Sequence, residues 1–163
     1  MKKLAILTAL VALSATALAN TITPYSVLAP SPGVWLYGAT LNSGEIHAGD
    51  SFTIFDFGGY VPGSVFAPAG WSASATLTGS DPSAPPIGPD NPSEYNLRFT
   101  YGGVPIQQLG VTGLGMFGAS TTQSTIAVDD WISQDHLIGN PTLVGDGSLG
   151  TLHRDQIPLK LDG

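Results

Sequence analysis

Trp71-Ser72-Ala73-Ser74-Ala75-Thr76-Leu77-Thr78 alternates without a break, with Trp71, Ala73, Ala75 and Leu77 on one side and hydroxyl residues on the other. A period of two marks a strand with one face buried and one in water. Asn96-Leu97-Arg98-Phe99-Thr100-Tyr101 repeats the pattern and predicts burial of Leu97, Phe99 and Tyr101. Ser51-Phe52-Thr53-Ile54-Phe55-Asp56-Phe57 carries aromatics at both parities, as expected of a strand covered on both faces. Val34-Trp35-Leu36-Tyr37 and the glycine-loosened run 110–119 read as further strands, with shorter candidates at 124–128 and 150–153. A single helical turn is expected at Val128-Asp129-Asp130-Trp131-Ile132, whose acids suit a helix N-terminus.

Turn chemistry separates these runs. Asn42-Ser43-Gly44 and Gly58-Gly59 can adopt positive φ at little cost and are expected to be turns. The longest break is 79–92, where Pro82, Pro85, Pro86, Pro89 and Pro92 cannot donate to a ladder. With 21 glycines and 13 prolines spread along the chain, long helices are excluded. The expected architecture is all-β: one antiparallel β-sandwich, jelly-roll or Ig-like, with little helix and a proline-rich loop near 79–92.

The first nineteen residues have a different character. Met1-Lys2-Lys3 is basic, residues 4–13 are almost wholly apolar, and Ala17-Leu18-Ala19 fits an A-x-A site before Asn20. That layout predicts a secretory signal peptide over 1–19, cleaved between Ala19 and Asn20. The apolar run falls short of the roughly 20 residues a transmembrane helix needs. The mature chain, 20–163, is about the length of one domain and has no other candidate span. It contains no cysteine, so apolar packing rather than disulfides must hold an exported fold together. Its bases are Arg98, Arg154 and Lys160, against twelve acids. Such a balance disfavours nucleic acid and anionic membranes as partners.

Candidate sites are few. Gly49-Asp50-Ser51 resembles the opening of a serine-esterase box, but Ser51 leads into a strand, and no acid stands three positions before His47, His136 or His153. A turn before a strand is the simpler reading. His136 follows Asp135 and lies near Asp129 and Asp130, without the helical spacing of a metal pair, and reads as a solvated loop. Asp81, Asp90, Glu94 and Asp146 are the calcium candidates, short of the full Asp-x-Asp-x-Asp-Gly pattern, and no cofactor motif occurs. Glycoside hydrolysis needs two carboxylates about 5–10 Å apart. Asp56, Asp50 and Glu45 are the acids available to supply them. Trp35, Trp71 and Trp131 are expected in the core, whereas Tyr25 and Tyr60, in turn-rich stretches, are the candidates for an exposed sugar-stacking surface.

From about Trp35 to Leu152 the chain resembles a family of exported Gram-negative bacterial proteins that usually carry a PEP-CTERM sorting signal. The resemblance rests on 47–60 (His47-Ala48-Gly49-Asp50-Ser51 through Gly58-Gly59-Tyr60), Ala67-Pro68-Ala69-Gly70-Trp71 and 96–101, with support from Leu114-Gly115-Met116-Phe117, Ser120-Thr121 and Ser133-Gln134-Asp135-His136. It implies surface display and association with an exopolysaccharide matrix. The family's C-terminal sorting and anchor segment has no counterpart after Ile157-Pro158, where only Leu159-Lys160-Leu161-Asp162-Gly163 follows. The expected function is a secreted, non-enzymatic structural protein partnered by polysaccharide or surface proteins. A carbohydrate-binding module and a secreted hydrolase are the alternatives.

Overall fold

The computed structural model describes residues 22–27, 33–78, 90–139, 143–146 and 154–159. These contain nine strands and no helix: β1 (Ile22–Val27), β2 (Val34–Ile46), β3 (Ser51–Phe57), β4 (Trp71–Thr76), β5 (Tyr95–Tyr101), β6 (Ile106–Ser120), β7 (Thr125–His136), β8 (Leu143–Asp146) and β9 (Arg154–Leu159). Every pairing is antiparallel. The all-β, antiparallel expectation therefore holds. Among the described residues, no helix is long and apolar enough to cross a membrane. The signal segment with Ala19 and Asn20, most of the proline-rich loop with Asp81, and His153 with the strand expected at 150–153 lie outside the described residues.

All nine strands join one hydrogen-bonded network rather than two separately bonded sheets. Its path runs β1-β2-β7-β3-β5-β4, with β6 on the free side of β2 and β8 and β9 along β7. The link between β2 and β7 is a single pair, Glu45 opposite His136. At that corner the network turns back on itself, because side chains of strands far apart along the path meet in the core. Phe117 of β6 packs against Phe52 of β3 at 4.9 Å, Phe99 of β5 at 5.1 Å and Trp71 of β4 at 5.1 Å between centroids. Tyr37 of β2 reaches Phe57 of β3 at 6.5 Å. Edge-to-face rings of this kind bury much apolar area each and add about 0.5–1.5 kcal/mol per pair beyond it.

Several local expectations change. Asn42-Ser43-Gly44 is not a turn but part of β2, at a bulge in the ladder with β6: Ser43, at φ 56°, is the one residue between the pairs Asn42–Val111 and Gly44–Gln108, against two on β6, Leu109 and Gly110. An extra residue opposite one partner breaks the pleat. The consequence is a change of face. Trp35, Tyr37, Ala39 and Leu41 point inward before the bulge, and Gly44 and Ile46 after it, so Glu45 is turned outward. The helical turn expected at 128–132 is strand, since β7 is held by β3 along 131–134 and by β9 along 125–130. A ladder partner at every residue of the stretch outweighs the weak helical bias of two acids. Leu77 lies beyond the end of β4 and is exposed, while Trp71 is only half-buried. Gly58-Gly59 is a turn as expected, with Gly59 at φ 64°.

Candidate functional site

Directly paired residues on neighbouring strands share a face. Tyr25, Gly38 and Met116 form one such row across β1, β2 and β6. This row lies on the outer side of the network, since the residues before and after Gly38 and the one after Met116 belong to the core. A Cβ on Gly38 would run into the Tyr25 ring, so the absence of a side chain there lets the ring lie across β2. Tyr25 remains 47% exposed. The next row, Leu36 and Gly118, is extended by Phe66, whose ring lies against Gly118 and whose backbone bonds to it in both directions at 2.8 and 3.1 Å. Further along, Asn42 Nδ2 donates to Thr23 Oγ1 at 2.9 Å and ties β2 to β1. The result is an outward platform with Tyr25, Met116 and Phe66 partly open to solvent and no charged residue in its rows.

The second feature, a polar one, is the corner between β2 and β7. His47-Ala48-Gly49-Asp50 is a β-turn closed by Asp50 N–H donating to His47 O at 3.0 Å, with Gly49 at φ 103° as the third turn position requires in a type II turn. The Asp50 carboxylate accepts the His47 N–H at 2.7 Å and lies 2.9 Å from Nδ1 of His136. The His136 ring stacks on the His47 ring at 4.2 Å, and His47 Nε2 sits 2.9 Å from Glu45 Oε2. Glu45 Oε1 in turn accepts from Gln107 Nε2 at 2.8 Å and from the Gly139 N–H at 3.0 Å. The Gly139 bond, followed by the His47 side chain, holds the Glu45 carboxyl below its ordinary pKa. Two carboxylate–imidazole pairs are thus laid face to face and already engaged. The corner joins the turn before β3, the end of β2, the end of β7 and the backbone at Gly139.

His136 is therefore not in a solvated loop. It ends β7 and is 8% exposed, because the turn carrying Asp50 folds over it. Neither His47 nor His136 signals the other in the sequence; only the Gly49-Asp50 turn pointed to this place. Ser51, buried at the start of β3, accepts from Arg98 Nη2 at 3.2 Å, which fits the turn-before-strand reading. Asp56, the other acid weighed for hydrolysis, sits at φ 51° and accepts from the Asn91 N–H at 3.1 Å.

Among the described residues the calcium candidates form no cluster of three or more. Asp90 accepts from Asn96 Nδ2 at 3.0 Å and Glu94 is buried in the following turn. Asp146 is far along the chain, paired with Ser133 on β7, and Asp81 is outside the described residues. Among the described residues no group of three or more His, Asp or Glu side chains is arranged to hold a metal ion. Tyr60 is half-buried, packed on Tyr95 at 4.8 Å, with its hydroxyl accepting from the Gly63 N–H at 3.1 Å; it braces a loop rather than offering an open ring. Of the two tyrosines singled out, Tyr25 alone lies open. A scan against protein-family models and searches of curated proteins and of solved structures returned no match to this chain.

Proposed function

We propose that this chain is an exported, non-enzymatic β protein of the cell surface or exopolysaccharide matrix, and that it contacts glycan across the outer face of β1, β2 and β6. The observation that carries this reading is the Tyr25 ring laid over Gly38 in one row with Met116. A flat ring open on one side removes water from the C–H face of a pyranose, and its position is set in advance by the strand beneath it. The platform rows are uncharged while the chain is strongly acidic, so a neutral glycan fits better than an acidic one. The signal-like N-terminus and the family resemblance support the setting. The engaged state of both histidine–carboxylate pairs supports a positioning role for the corner rather than turnover.

The test is binding of purified protein to neutral and acidic polysaccharides by calorimetry or affinity electrophoresis. Tyr25→Ala is expected to lose most of the neutral-glycan affinity while the melting temperature stays within a few degrees, since the residue is half-exposed. Unchanged affinity in Tyr25→Ala would sink the platform. Turnover of chromogenic ester, peptide or glycoside substrates that disappears in His136→Ala would instead establish the hydrolase.

A further inference from the structure

We infer that the uncovered edge of β6 pairs with the same edge of a second copy of this chain, forming a two-fold dimer through antiparallel β6–β6 hydrogen bonds. One edge of β6 is bonded to β2 along its length. Among the described residues the other is covered only near its C-terminal end, where Phe66 and Val61 bond to Gly118 and Ser120 and Tyr60 bridges Thr121. From Ile106 to Met116 that side has no strand partner among the described residues. The three most exposed large apolar side chains of the described residues lie on or just before this stretch: Leu109 at 87%, Val104 at 81% and Val111 at 74%. An exposed edge of this kind is a template for another strand unless charge, proline, a bulge or cover blocks it; the register shift at Leu109 and Gly110 belongs to the ladder with β2, and both residues keep strand backbone. Within β6 there is no proline, and from Phe99 to Val128 no charged residue or histidine.

Charge argues for a second copy as the occupant. The chain carries a net −7, so two copies repel wherever their acids face each other. β6 itself carries no acid, and the Glu45 carboxylate bonded to its Gln107 belongs to β2, on the side away from the free edge, so antiparallel pairing there sets no acid directly opposite another. A two-fold axis near Gly110 sets Leu109 opposite Val111 of the second copy, an apolar cross-strand pair, and closes the contact so that it does not propagate. Nothing lies within 4 Å of a Cβ built on Gly110, so the backbone can be approached closely there. Because that axis runs perpendicular to the sheet, the Tyr25 platforms of both copies would point the same way, a bivalent arrangement for a polymer. This last consequence rests on the glycan reading, whereas the dimer does not.

Sedimentation equilibrium of the purified chain without glycan is expected to give the dimer mass. The double variant Leu109→Lys/Val111→Lys, which places like charges across the axis, is expected to halve it, with melting unmoved when both proteins are compared at dilutions where the parent is monomeric. The chain has no cysteine, so Gly110→Cys reports the axis directly. Each copy carries one thiol, and mild oxidation with oxidised glutathione joins it to its own mate, the glutathione taking up both electrons as two reduced glutathiones. Thr76→Cys, on the edge of β4, is the control that should not cross-link. A monomer at every loading, a normally melting double variant that stays dimeric, or cross-linking at Thr76 in place of Gly110 overturns the proposal. Should the double variant melt early, the Gly110→Cys result decides alone: a cross-linked dimer upholds it and its absence ends it.

Discussion

The two ends of β6 have similar composition and opposite surroundings. Phe117, Gly118 and Ala119 are buried beneath Phe52, Phe99, Trp71 and the loop carrying Phe66, whereas Leu109, Gly110 and Val111 stand in solvent. Both ends pair with β2, so the ladder is not what separates them. What differs is cover: one end meets the aromatic side chains of β3, β4 and β5 and is closed by a returning loop, and the other extends past both. Apolar residues in a strand therefore do not by themselves mark the core.

The sharpest break of this contrast is Phe117→Ala against Leu109→Ala. Removing the buried ring is expected to cost about 3–5 kcal/mol in urea unfolding. At concentrations low enough to keep the chain monomeric, truncating the exposed leucine should change stability by no more than about 0.5 kcal/mol. Similar costs at the two positions would show that the ends do not differ in packing. Glycines on the same strand give a second comparison. A Cβ at Gly118 would run into the Trp35 carbonyl oxygen and sit 3.0 Å from the Phe66 ring, whereas one at Gly113 meets nothing within 4 Å. Gly118→Ala is expected to lose about 1–3 kcal/mol through displaced backbone. Gly113→Ala should be neutral or slightly stabilising, by up to about 1 kcal/mol. Chemical denaturation of the pair reads the difference directly.

The histidine corner is a third kind of environment, buried but polar. Asp50→Ala removes the acceptor for the His47 N–H and the partner of His136, and is expected to cost about 1–3 kcal/mol. Its expected signature is earlier melting with exchange of the β7 end, followed by hydrogen exchange at His136; a variant protected like the parent would show that the corner holds nothing. The smallest effect is at Glu45. Its folded pKa lies below the ordinary value, so ionised Glu45 contributes stability above the ordinary glutamate range and loses it as pH falls through the folded value. Melting followed from neutral into acid should fall less steeply for Glu45→Gln than for the parent. Because the carboxylate is at the surface, the difference will be slight and will shrink with salt.

Much of the strand content was legible because it is local. The alternation in 71–76 and 96–101 and the aromatics of 51–57 each follow from which side chains can sit on a pleated surface. Asn42-Ser43-Gly44 misled because the residues that allow positive φ in a turn allow it equally in a bulge, and only the partner strand decides which forms. Val128–Ile132 misled for a related reason, since its acids carry a weak helical preference that two flanking strands override.

By itself, the sequence determined that the chain is β-rich, lacks disulfides, is acidic and opens on a basic and then apolar segment, all properties of composition and short-range pattern. The platform and the corner were decided only in three dimensions. Tyr25 becomes an exposed ring because Gly38 is its register partner, and register is a property of two strands. His47 and His136 meet because the bulge at Ser43 turns the end of β2 outward just where β7 arrives, so residues remote in the chain come to share one corner. Side-chain periodicity is written residue by residue, but contact between distant strands is set by their shared burial, which no single segment carries.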